Sequence, residues 1–408
     1  MAVTLAELII LGLLVDWLLR RVSCPGLVGM LAVGVLCGPF ALGLMDQQML
    51  AISGDLRQIA LIVILLRAGL QLSRTQLNRI GGRALLLAFL PACAEILAIT
   101  LVAPPLLGLS QADSLLLGTV VAAVSPAVVV PLMLRFLEEQ RGTAKAIPSL
   151  VLAAASVDDV FVIVLFGVAM NLVLGGSLAE TDTAQIVTRL ATVPVAIVFG
   201  IAIGVGLGWL LHCFFLAANP RATKRVLVML GLSILLLRLQ DLVADMLPFA
   251  ALLSIMTAGF FLLERDEDMA HEISAKLGKI WILAEILLFT MVGAQVDPTV
   301  AWNCGVGGAL VIAGGLAARG LITLACLIGS PLNRGERAVV VVSYMPKATV
   351  QAAIGGLPLL AMIEAEQDPS SGHTILAVAV LSIILTAAPG AWAINLLGRR
   401  FLTVDESQ

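Results

Sequence analysis

The sequence predicts an all-α polytopic membrane protein, and three observations predict it. The 408-residue chain is 60% hydrophobic. Only 12% of its residues are charged, about half the roughly 25% of a soluble domain. Apolar runs of about 20 residues, the length of α-helix that crosses a hydrocarbon core, recur from end to end.

Thirteen spans follow from these runs, at 4–21, 25–44, 55–73, 83–107, 113–135, 147–174, 186–216, 224–240, 247–264, 279–295, 305–329, 337–359 and 373–397. The first opens MAVTLAELII, with no basic n-region and no small-residue cleavage site, and reads as a retained helix rather than a signal peptide. Basic residues bound the spans on one face. Arg20 and Arg21 close the first span, Arg74, Arg79 and Arg83 separate the third from the fourth, and Arg135, Arg141 and Lys145 separate the fifth from the sixth. Arg221, Lys224 and Arg225 do the same for the seventh and eighth, Arg265, Lys276 and Lys279 for the ninth and tenth, and Arg334 and Arg337 for the eleventh and twelfth. Arg399 and Arg400 follow the last. The other face has only Arg57, Arg189 and Arg238. The excess of positive charge marks the cytoplasmic side, which predicts a cell-membrane protein with its N-terminus outside and its C-terminus inside.

The fifth and twelfth spans carry interruptions near their middles, Ser125-Pro126 in TVVAAVSPAVVVP and Pro346 in VSYMPKATVQAA. Their offset of seven spans is odd, so corresponding helices of the two halves run in opposite directions. The organisation expected is a single transporter domain built of inverted six-helix repeats, 1–174 and 223–408, joined by a linker helix within 175–222. Paired broken helices in such repeats point to a binding site at the bilayer midplane.

Ionisable residues collect at that depth. At about 1.5 Å per residue, Asp158, Asp159, Arg319 and Lys347 all lie roughly 15–20 Å from the membrane surface. Charges persist there mainly where they act. Adjacent helical residues point about 100° apart, so one aspartate can hold a basic partner while the other faces a water-filled cavity. A cation and a proton then compete for one carboxylate. The alternative, both aspartates locked in salt bridges as structural glue, uses two carboxylates and two cations where none is needed. Lys347 has a second reading, as a cation beside the carbonyl end of the broken helix. Arg67 and Glu95, on consecutive antiparallel helices, are expected to form a structural ion pair. Glu285 reads either as a second partner for Lys347 or as a residue lining the inner cavity.

Other chemistry finds little support. The six cysteines show no C-x-x-C pairing and read as small packing residues, and the three histidines fall at helix ends or in loops. Neither residue type suggests a metal site, and no cofactor is expected. The net charge of −3 is spread through loops and gives no reason to expect a nucleic-acid partner. An intramembrane aspartyl protease needs two carboxylates that share a proton, whereas Asp158 and Asp159 diverge from one helix.

The segments GTVVAAVSPAVVVPLML, KAIPSLVLAAASVDDV, MPKATVQAAIG and LRQIALIVILLRAGLQL together resemble sodium/proton antiporters of the cation/proton antiporter superfamily, paired-aspartate branch, the NHA-type exchangers. The resemblance implies an NhaA-like fold with two crossed broken helices, a homodimer in membrane lipid, and a mobile core working by elevator-like alternating access. It implies that Asp159 carries the transported Na⁺, Li⁺ or H⁺ and binds Na⁺ transiently with Asp158. It assigns Arg319 as the partner of Asp158, and Thr119, Ser125 and Pro126 to the lining of the first broken helix. Electrogenic members have lysine in place of Arg319, and arginine keeps its proton, so one-for-one exchange is expected unless Lys347 releases a second proton. Potassium/proton exchange and sodium-coupled organic-anion transport are the alternatives within the class.

Overall fold

Helix ends fall where caps, prolines and glycines stand. The computed structural model describes residues 2–21, 25–70, 74–174, 183–243 and 250–404. In chain order they form α1 (Ala2–Arg21), α2 (Gly26–Cys37), the short α3 (Gln47–Ala51), α4 (Ser53–Gly69) and α5 (Arg74–Leu107). Next come α6 (Gln111–Ala122), α7 (Pro126–Glu138), α8 (Ile147–Leu174), α9 (Thr183–Ala218), α10 (Ala222–Val243) and α11 (Ala251–Arg265). The chain continues through α12 (Glu267–Ala294), α13 (Pro298–Cys326), α14 (Arg334–Ser343), α15 (Thr349–Ile354), α16 (Leu357–Glu364) and α17 (Ser370–Phe401). No strand occurs among the described residues, and seven of these helices, α1, α5, α8, α9, α12, α13 and α17, have a stretch long and apolar enough to cross a membrane.

Two differences from the sequence reading have local causes. The span at 25–44 stops helically at Cys37, because Gly38 precedes a proline and turns extended. The chain then folds back, with the amides of Leu44 and Met45 donating to Cys37 O. The span at 83–107 starts earlier, at Arg74, and α5 carries Pro91, Pro104 and Pro105 within it.

The helices sort into two bundles. In the core bundle, α5 packs on α6, α8 and α13, α17 packs on α13, α14 and α16, and α7 lies on α8. In the scaffold bundle, α12 packs on α2, α4 and α10, and α11 on α4 and α9. Small residues bring the scaffold backbones together, as in membrane helix pairs generally. A Cβ on Gly34 or Gly293 would overlap the carbonyl of Thr290 or Leu31, and Ser254 Oγ donates to Gly200 O at 2.8 Å across α9 and α11. The bundles meet sparsely, mainly where α15 touches α4 and α12, α8 touches α9 and α11, and α17 touches α2.

On the arginine-rich face the end of α17 is tied to the loop after α7. Gly142 N–H donates to Thr403 O at 2.9 Å, and Arg141 donates to Leu402 O at 3.3 Å. Glu139 accepts from Arg135 Nε at 2.8 Å and from Arg141 Nε at 3.1 Å. The Arg135 hydrogen bond, helped by Arg141 and Arg399, holds the Glu139 carboxyl below the usual glutamate range. A lowered folded value means that its contribution is present above the ordinary glutamate range and is lost as pH falls through the folded value. The protection factor of the Gly142 amide in hydrogen exchange is therefore expected to fall below about pH 4, and Glu139→Gln to flatten that dependence.

Candidate functional site

The site is built where two helices break. Ser125 precedes Pro126 and cannot continue α6, so Ala123 turns extended and α7 starts afresh with proline at its first position. Pro346 ends α14 in the same way, and Ala348 leads into α15 with φ −162° and ψ −80°. A break inside a membrane frees backbone groups that must find partners within the protein. Here each break supplies partners for the other. Ser125 N–H donates to Pro346 O at 2.9 Å, and Thr349 N–H to Ser125 Oγ at 3.4 Å. Gln351 Nε2 donates to Val121 O at 3.0 Å and Ala123 O at 2.8 Å, while its Oε1 accepts from Ala348 N–H at 2.8 Å. Thr386 of α17 accepts from Lys347 N–H at 2.8 Å.

Charged side chains complete the junction. Arg319 Nη2 donates to Asp158 Oδ1 at 2.7 Å, and Val124 N–H donates to Asp158 Oδ2 at 3.0 Å. Arg319 Nη1 donates to Glu95 Oε2 at 2.7 Å and also to Ala122 O. Lys347 Nζ meets the same Glu95 Oε2 at 2.7 Å and Ala122 O at 3.1 Å. Arg319, Lys347, Glu95 and Asp158 are fully buried. The ring of Tyr344 lies 5.6 Å from the Arg319 guanidinium, a cation–π distance.

Asp159 stands apart from this lattice. It is 5% exposed, and its Oδ1 meets no donor in the protein. Yet it lies within electrostatic reach of Asp158, Arg319 and Lys347. With every group ionised, three carboxylates face two cations. Glu95 and Asp158 account for the cations, which leaves the charge of Asp159 without a counterpart. One monovalent cation or one proton neutralises it.

The structure brings Asp158, Asp159, Arg319 and Lys347 together around Ser125 and Pro126. Thr119, one turn before the break, is buried with its hydroxyl donating to Leu116 O at 2.7 Å. The expected Arg67–Glu95 pair is overturned. Glu95 faces across α5 to α13 and the second break, where two buried cations hold it. Arg67 instead feels Glu285 of α12, with its guanidinium 6.0 Å from the Trp281 ring. The carboxylate in contact with Lys347 is Glu95, and the basic group coupled to Glu285 is Arg67. Sequence reasoning missed Gln351 and Tyr344. Gln351 stands four residues after Lys347 in the broken segment, which was its signal; Tyr344 had none beyond being the single tyrosine.

The family model for the transmembrane sodium/hydrogen exchanger matches residues 8–392. The chain belongs to the sodium/hydrogen exchanger family. Among curated relatives, the mouse sodium/hydrogen exchanger 9B2 is 33% identical over 359 residues, and the human sodium/hydrogen exchanger 9B1 is 28% identical over 358. The mouse match covers 87% of this chain and 64% of the relative, and the human match 86% and 67%. The chain thus spans about two thirds of the length of these exchangers. The solved structure of the sodium proton antiporter MjNhaP1 from Methanocaldococcus jannaschii at pH 8 superimposes with a TM-score of 0.83, covering 97% of each chain at 21% identity. That likeness is one of fold.

Proposed function

We propose that this exchanger family member moves Na⁺ or Li⁺ against H⁺, with cation and proton competing for Asp159. The observation that carries the reading is the surplus carboxylate: Asp158 is fully engaged by Arg319 and Val124, whereas Asp159 Oδ1 is buried beside them without a donor. The curated relatives named as sodium/hydrogen exchangers support it. The core bundle, which holds every residue of the site, is the moving part, and the scaffold bundle is the fixed part that a second copy joins in a homodimer. The thirteen-span topology, with its halves at 1–174 and 223–408 as inverted repeats, and the orientation with the arginine-rich face in the cytoplasm belong to the same reading. The test is proton movement in proteoliposomes challenged in turn with Na⁺, Li⁺ and K⁺. Sodium and lithium are expected to release protons and potassium not to; a response to potassium alone assigns the runner-up, potassium/proton exchange.

Stoichiometry follows from the charge partners. Arginine keeps its proton when its pair breaks, so Arg319 moves none, and Lys347 is held by Glu95 rather than by the carboxylate that binds the ion. One proton per cation is expected. An imposed membrane potential should then fail to concentrate Na⁺ in proteoliposomes. Accumulation driven by potential would refute the count, and its loss in Lys347→Gln would name the lysine as the second carrier.

A further inference from the structure

Arg57 lies in the first turns of α4, on the scaffold side of the seam with the core, and is fully buried. Its Nε donates to Ser53 O at 3.3 Å, but neither Nη1 nor Nη2 meets an acceptor. No carboxylate among the described residues faces it within salt-bridge distance. Gln295, at the end of α12, donates to Ser53 Oγ at 2.9 Å and leaves its own Oε1 without a donor. The core surface pressed against this group is the turn between α15 and α16. A methyl group on Gly356 would overlap Arg57 Nη1 and lie 3.1 Å from Gln295 Oε1. Glycine there lets the core backbone close directly over the guanidinium. The contact lies on the side of the junction away from the arginine-rich loops: along α17, Gly335 of α14 lies against Phe401 at the basic end, Pro346 against Gly390, and Gly355 and Leu359 against Ala379 and Gly372 toward the other end.

We propose that Arg57 is a positioning residue for transport, a buried charge that destabilises closure of this seam and so favours the conformation in which the core withdraws and water reaches the guanidinium. This role presupposes the alternating-access exchange proposed above. A buried charge without a partner is strongly unfavourable, and even buried ion pairs are often replaced by apolar residues of similar volume without loss or with a gain in stability. The direction of the effect follows. Arg57→Met should close the seam more firmly, Arg57→Lys should keep the wild-type balance, and Gly356→Ala should force it open by overlap with Arg57.

Hydrogen exchange of the purified full chain in lipid, read at the amides of residues 352–360, measures the seam directly. Exchange there is expected to slow by about threefold or more in Arg57→Met and to quicken by a similar factor in Gly356→Ala, as local opening free energies shift. In Gly356→Ala combined with Arg57→Ala it should return toward wild type. Seam exchange that is unchanged or faster in Arg57→Met means that Arg57 does not oppose closure, and overturns the proposal. Should Arg57→Met fail to fold, Gly356→Ala and its double mutant decide: no rescue by Arg57→Ala rejects the contact. Ion exchange by the unaltered protein is read separately, so a failure of sodium/proton exchange is distinguished from a failure of the seam.

Discussion

Asp159→Asn is expected to abolish cation-dependent proton movement while leaving a folded protein. Asparagine matches aspartate in size and keeps one carbonyl oxygen, so packing around α8 survives. It cannot take up or release a proton, and it removes the one negative charge that Asp158, Glu95 and the two cations do not balance. With the charge gone, the site is neutral when empty and carries a full positive charge when a cation enters, in a place where burial of an unpaired charge is strongly unfavourable. Both halves of the exchange cycle fail together. Proteoliposomes should show no proton release on adding Na⁺ or Li⁺, and the thermal unfolding midpoint should match or exceed that of the wild type, because the mutation removes a buried charge. Near-normal exchange would show that the ion is neutralised elsewhere.

Glu95→Ala is expected to produce the largest loss of stability of any single substitution at the site. Glu95 Oε2 is the shared acceptor of Arg319 Nη1 and Lys347 Nζ, all with fully buried side chains. Removing one partner of a buried pair typically costs about 3–5 kcal/mol, because the other charge is left without compensation. Here Lys347 is left with Ala122 O as its acceptor and no carboxylate in contact, while Arg319 keeps Asp158. Adding Lys347→Gln should recover part of the loss, since the lysine that has lost its contacting carboxylate is then gone and coupled residues are not additive. Thermal unfolding of Glu95→Ala, Lys347→Gln and the double mutant in one detergent measures this. Additive losses would show that the pair contributes no coupling.

The paired aspartates, both breaks and the placing of Arg319 and Lys347 as charges within apolar runs were legible in the sequence, because each departs from a strong background. A charge in an apolar run and a proline in a helix stand out without any knowledge of packing. Partner choice did not stand out. Glu95 and Arg67 share a depth and lie on neighbouring helices of the chain, and that proximity suggested a pair. The fold puts α5 against α13 instead, so Glu95 meets a residue more than two hundred positions away. Depth can be counted along one helix, but azimuth and neighbours belong to the assembled bundle. Gln351 was hidden for a related reason: an amide in a transmembrane stretch reads as a mild polar interruption until the carbonyls it covers are in view.

The mutual stitching of the two breaks by Gln351, Ser125 and Pro346 also bears on selectivity. In the alternating-access cycle proposed above, helix ends that hold one another stay together while the core travels, and an ion on Asp159 would keep the same set of neighbours from one side of the membrane to the other. Discrimination between Na⁺ and Li⁺ then belongs to loading and unloading, and the passage between them is blind to the passenger. Substitutions at the stitch should alter which ion is accepted, whereas substitutions along the seam should alter only how often the journey is made.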